Sequence, residues 1–256
     1  MSIAIINSST VVSDLDGQTI VTALNQILPQ FCSDWSLPKY TATYIGKGKT
    51  STIAIKVFIL DTSDVQDALG YHDLSANIPY GRCFAKTVLQ DGGVILYSTN
   101  SSVPTLAQCI AHEVFELLVD PLCNSWWDIG DQQTLFARET CDPVESNVVL
   151  ASVVVSPATL AYNSKTHKTV VIPAVVQKVG LSDWILPAWS DPQNTKGPFN
   201  HLNTLKAPFT LDRGGYGIVM DCGTAGQVTA IKFGTGVTEV QKAKYSSKGR
   251  VFKRTT

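Results

Sequence analysis

One segment constrains this chain more than any other, the run from Pro104 to Pro121. Leu106, Cys109, Ile110, Val114, Leu117 and Leu118 recur at helical spacing and define one apolar face. Pro104 suits a first-turn position and Pro121 ends the run. Inside this helix stand His112, Glu113 and Glu116. Glu116 projects about 40° from His112 and Glu113 about 100° from it. All three border the apolar arc. A fold that buries this helix must therefore take two carboxylates and an imidazole partly out of water, which is costly unless they find partners.

Charge is sparse elsewhere. Only 16% of the 256 residues are charged, and four of the five glutamates (Glu113, Glu116, Glu139 and Glu145) fall between 113 and 145. A 44% apolar fraction supplies a large core and excludes general disorder. The 46 Ser and Thr residues favour strands and polar loops over long charged helices. A net charge of −1 gives no global field to recruit nucleic acid or a membrane. The apolar runs at 52–60 and 147–155 are too short to span a bilayer, and the first residues lack the pattern of a signal peptide. Six cysteines, with no C-x-x-C pair, read as reduced and mostly buried thiols.

Along the chain, Asp14 or Asp16 can cap a helix through Ile20, Leu24, Ile27, Leu28 and Phe31, which Pro29 should kink or shorten. Residues 40–45 alternate as a strand and 53–60 read as a more buried one. The stretch 61–81 reads as a loop with one helical turn at 65–69. Short strands are expected at 83–89 and 94–98, split by Asp91-Gly92-Gly93. From 147 onward the pattern is β-rich, at 147–155, 169–176, 216–220 and 227–233. The expected class is α+β. Residues 1–146 carry the helix-bearing domain and 147–256 form a β-rich region with a basic tail, or the two make one domain.

His112-Glu113-x-x-Glu116 has the geometry of the H-E-x-x-H zinc helix with a carboxylate in place of the second imidazole. His112 and Glu116 could hold one edge of a metal, and Glu113 could act as general base on a bound water. The third ligand has to come from elsewhere. Glu139 and Asp142 resemble a glutamate ligand and an aspartate that orients a ligating histidine, and Asp120, one turn further on, is a rival. The set also suits calcium or manganese. Without an ion the same acids can cap a helix, pair with Arg138 or face water.

The segments Ala111-His-Glu-Val-Phe-Glu-Leu-Leu-Val-Asp-Pro121 and Arg138-Glu-Thr-Cys-Asp-Pro-Val-Glu145 resemble an uncharacterised HExxE metallopeptidase-like family of tailed bacteriophages and bacteria. They are more loosely similar to Exordium-type phosphate-induced proteins. Ala68-Leu-Gly-Tyr-His-Asp73, Trp184-Ile-Leu-Pro-Ala-Trp189 and Pro208-Phe-Thr-Leu-Asp-Arg-Gly-Gly-Tyr216 extend the likeness over most of the chain. The resemblance implies a zincin-like domain, a twisted sheet with the HExxE helix beneath its edge strand. It also implies Zn2+ held by His112, Glu116 and Glu139, with Glu113 as the base and Asp142 supporting His112.

Two functions follow as expectations. The first is a head- or tail-associated structural protein of a phage virion, whose partners are other virion subunits in an assembled oligomer. The second is a metal-dependent hydrolase, a peptidase, of virion maturation, host entry or bacterial turnover, located in the virion or the bacterial cytoplasm. No membrane partner is expected. The tail, with Lys242, Lys244, Lys248, Arg250, Lys253 and Arg254, carries +6 of side-chain charge. It is the one segment suited to nucleic acid, but its interleaved Val240, Tyr245, Val251 and Phe252 favour docking on an acidic neighbouring subunit. His72, beside Asp73, reads as a hydrogen-bonded turn residue, with metal ligation as the alternative. His167 and His201 read as bystanders, and Trp126, Trp127, Trp184 and Trp189 as burial under long loops.

Overall fold

The computed structural model describes every residue except 67, 164–167, 223–227, 237, 242–250 and 254–256. The architecture is mixed α+β, with more strand than helix and several sheets. The chain opens with β1 (Ser2–Asn7), a strand buried at five of its six residues. Helix α1 (Asp14–Asp34) follows. Its cap is Ser13 and not Asp14 or Asp16: the Ser13 Oγ accepts from the Asp16 N–H at 3.0 Å and donates to Asp16 Oδ2 at 2.6 Å. Asp16, at the third helical position, thus holds the capping hydroxyl through both its N–H and its carboxylate. Pro29 does not shorten the helix, which runs through it to Asp34.

Strands β2 (Thr41–Ile45) and β3 (Ile55–Leu60) pair in parallel on either side of β1. The stretch read as a loop is instead an antiparallel hairpin, β4 (Ala68–Ser75) and β5 (Ile78–Phe84). Its two linking residues, Ala76 and Asn77, both have positive φ, 50° and 64°. Two left-handed residues match the twist of a tight hairpin, and no glycine there announces it. The expected strand at 83–89 is only the end of β5, because the chain turns into the short helix α2 (Ala85–Gln90). Residues 94–98 contribute one isolated bridge, Val94 to Thr105. Since β5 lies parallel to β3, four parallel strands (β2, β1, β3, β5) end in the antiparallel β4.

Helix α3 (Leu106–Val119) is the centre of the molecule. It is capped by Thr105, whose Oγ1 accepts from the Gln108 N–H at 3.0 Å, so Pro104 lies just outside the helix. All fourteen of its residues are buried. It packs against β3, β4 and β5 and, from the second half of the chain, against β11 (Val175–Ser182). Preceding β11 are β6 (Trp126–Asp128), β7 (Thr134–Ala137), β8 (Val148–Ser156), β9 (Thr159–Asn163) and β10 (Lys168–Ile172). Strands β8 and β11 form one ribbon and β9 and β10 another.

The expected division at 146 is not a division of the core. Val149, Ala151, Val153, Val179, Leu181 and Trp184 join the same buried cluster as the residues of α1 and α3. A second cluster centres on Trp189, Phe136 and Phe199. Trp184 and Trp189 have no exposed surface, and Trp126 and Trp127 are half-buried, in keeping with the burial reading. The five described free-thiol positions 32, 83, 109, 123 and 141 are buried, whereas Cys222 is exposed.

The remaining strands, β12 (Tyr216–Asp221), β13 (Val228–Phe233) and β14 (Thr238–Gln241), complete a second sheet with β7 and β6. Of the basic tail, Val251–Lys253 forms β15, which pairs with β4 of its own chain, Val251 opposite Tyr71. Lys242, Lys244, Lys248, Arg250 and Arg254 lie outside the described residues. No helix of the described residues is long and apolar enough to cross a membrane.

Candidate metal centre

Two elements of the large core meet over α3. From the helix itself come His112, Glu113 and Glu116, 1%, 1% and 3% exposed. From the segment after β7 come Glu139 and Asp142, 3% and 2% exposed. The expected acids are therefore brought to one buried place. The sixth member is His72 on β4, 2% exposed, which is not a turn residue.

The reason His72 reaches the site is strand alternation. Gly70 and His72 are two residues apart on β4 and share a face. A Cβ at Gly70 would lie 2.6 Å from Cys109 Sγ and 2.8 Å from Glu113 Oε1, so that face looks onto α3. Glycine at 70 makes room for the Glu113 carboxylate beside His72. Gly70→Ala is expected to displace Glu113 or Cys109 and to cost about 1–3 kcal/mol by overpacking. Denaturant unfolding of the variant beside the parent checks this, and an unchanged midpoint would show that the contact yields freely.

Distances order the cluster. His72 Nδ1 lies 3.2 Å from Glu113 Oε2 and 3.7 Å from Glu116 Oε2. His112 Nε2 lies 3.0 Å from the same Glu116 Oε2 and 3.2 Å from Asp142 Oδ1. Glu139 Oε2 faces the other nitrogen of His72, Nε2, at 3.6 Å. Asp142 thus shares with Glu116 the forward nitrogen of His112, where the sequence places it behind that histidine, and Glu139 sits next to His72. Glu116 Oε1 accepts from the Cys141 N–H at 3.0 Å, which ties the segment 139–145 to the helix. Asp120, the rival ligand, accepts from the Ser125 N–H and hydroxyl, both at 2.9 Å, and so organises the turn after α3. Arg138 places its guanidinium over Trp35 and Trp127, 5.8 Å and 5.5 Å from the ring centroids. His201 stacks on Trp184 at 4.0 Å, and His167 lies outside the described residues.

The electrostatics are those of a place short of positive charge. Burial opposes protonation of His72, yet the carboxylate of Glu139 and contacts with Cys123 and Glu113 hold its pKa well above the usual imidazole value. His112 is raised in the same way, burial being outweighed by Glu116 and Asp142. Burial pushes Glu113 up, only partly offset by His72 and His112. Asp142 is pushed up to about 7 by burial and by the nearby Glu116 charge. Burial pushes Glu116 up too, but His112, His72 and the Cys141 N–H together hold it below the ordinary range. Burial keeps the Cys141 thiol protonated.

Carboxylates that retain protons beside imidazoles that gain them describe a site in which any cation is welcome. Two triads bring ligand atoms within 4.8 Å of one another: His112, Glu116 and Cys141, and His72, Glu113 and Glu116. Two buried atoms, His72 Nε2 and Glu113 Oε1, have no hydrogen bond. These features fit a divalent cation. Against family models, curated proteins and solved structures alike, the chain finds no match.

Proposed function

We propose that this chain is a structural subunit, built on a zincin-like scaffold, whose closed centre holds a divalent ion between His112, Glu116 and Asp142. Zinc is the first candidate. The observation that carries the reading is burial: none of the six residues of the centre is more than 3% exposed. Structural metal sites are closed by the protein, whereas catalytic ones keep a position open to water and substrate. An ion there would neutralise carboxylates that otherwise hold protons, and its binding energy would add to folding energy.

An assembled role draws support from the two ribbons of the second half. Leu150 and Val154 on β8, Leu160 on β9, Val171 and Ile172 on β10, and Val175 and Val176 on β11 are 49% to 73% exposed. Apolar side chains left in water along two ribbons are the kind of surface that neighbours cover. Together with the sequence likeness to phage proteins, this favours a virion subunit among other virion subunits.

The hydrolase reading has one observation of its own. Glu113 Oε2 lies against His72 Nδ1 while Oε1 makes no hydrogen bond, as a base awaiting a proton would. Elemental analysis and peptide-library hydrolysis separate the two. The structural reading expects bound divalent ion, lost on His112→Ala together with part of the thermal stability, and no hydrolysis by parent or Glu113→Gln. Hydrolysis that falls by about two to four orders of magnitude in Glu113→Gln would establish the enzyme instead. A chain that takes up no metal would sink both.

A further inference from the structure

We infer that the centre is built for two divalent cations bridged by Glu116, the second held by His72, Glu113 and Glu116. This rests on the metal reading above and extends it. The triads His112, Glu116 and Cys141 and His72, Glu113 and Glu116 have only Glu116 in common, and Asp142 Oδ1 lies 3.2 Å from His112 Nε2 of the first. Glu116 Oε2 stands 3.0 Å from His112 Nε2 on one side and 3.7 Å from His72 Nδ1 on the other. One carboxylate between two imidazoles is the arrangement that joins a pair of ions about 3.5–4 Å apart.

The second position accounts for what the first leaves over. Glu113 is 1% exposed with Oε1 lacking a hydrogen bond, and a cation bound through this carboxylate would supply the missing partner. His72 Nε2 is likewise without a hydrogen bond. A cation on Nδ1 would leave the proton on Nε2, and the Glu139 carboxylate, whose Oε2 faces Nε2 at 3.6 Å, favours the proton there by its charge. Glu139 is then a positioning residue for His72. Charge agrees. With both imidazoles neutral as ligands, Glu113, Glu116, Glu139 and Asp142 carry −4, and one divalent ion leaves −2 in a place without solvent. A second ion removes that deficit. Imidazole mixed with carboxylate selects zinc, manganese or ferrous iron over the hard, all-oxygen preference of calcium.

The test is stoichiometry. Metal-free full-length protein is titrated with Zn2+ and, separately, with Mn2+, and bound metal is measured after gel filtration. The expected result is two ions per chain, falling to one in His72→Asn with the circular dichroism of the parent. The Mn2+-loaded parent should show the electron paramagnetic resonance of a spin-coupled pair, a readout that needs no variant to fold. Saturation at one ion that is lost on His112→Ala overturns the second position and leaves the first standing. Two ions retained in His72→Asn, or uncoupled Mn2+ spectra, also overturn it. No bound ion overturns both positions together.

Discussion

Glu116→Ala is expected to lose bound metal completely and to cost about 3–5 kcal/mol of folding stability, the range for removing one partner of a buried ionic group. The carboxylate faces both imidazoles of the centre and a backbone N–H. It faces His112 at 3.0 Å, stands 3.7 Å from His72, and accepts the Cys141 N–H at 3.0 Å. Its removal leaves two imidazoles without their shared counter-charge and a buried N–H without its acceptor. Glu116→Gln separates these roles. The amide oxygen can keep the Cys141 bond, while the charge and the metal are lost. Glutamine should therefore recover part of the stability and none of the metal. Urea midpoints with elemental analysis on the same samples provide the measurement. Metal content unchanged in either variant would remove Glu116 from the centre.

Trp184→Ala should be as damaging by a different route. The indole has no exposed surface and meets Phe31 and Phe115 edge-on, at 5.5 Å and 5.2 Å between centroids. Its far face stacks on His201, and its Nε1 donates to Asp34 Oδ2 at 3.0 Å. It joins the end of α1, α3 with its buried His112, Glu113 and Glu116, and the segment after β11. Truncating a fully buried tryptophan costs about 3–5 kcal/mol, with more where the cavity cannot collapse. Between three elements of separate origin, collapse is hard. Trp184→Phe keeps most of the ring contacts and loses the bond to Asp34, so it should cost distinctly less. Equal midpoints for the alanine variant and the parent would show that the three elements are held together elsewhere.

Much of the centre is legible in the order of residues. The periodicity that places His112, Glu113 and Glu116 on one helix is a local property, set by 3.6 residues per turn and bounded by Pro104 and Pro121. The helix came out as read except that it starts after its Thr105 cap and leaves Pro104 outside, and the Glu139 and Asp142 segment does return to the centre. The strands at 40–45 and 53–60 are equally local, because alternation and β-branching need no distant information.

His72 was not legible in this way. Its place depends on the chain making a hairpin at Ala76-Asn77, where neither residue is glycine, and on a glycine at 70 that reads as a loop signal when it is a clearance for Glu113. The roles of Glu139 and Asp142 depend on which imidazole nitrogen each meets, and spacing along a chain carries no such information. The continuity of the core across residue 146 arises because β11 packs on α3 and β8 on α1, so the second half of the chain closes over both helices. Sequence alone determined that one helix would carry an imidazole and two carboxylates into the interior. Only the tertiary structure decided what would meet them there, because burial, register and the facing of an imidazole are set by contacts between segments far apart in the chain.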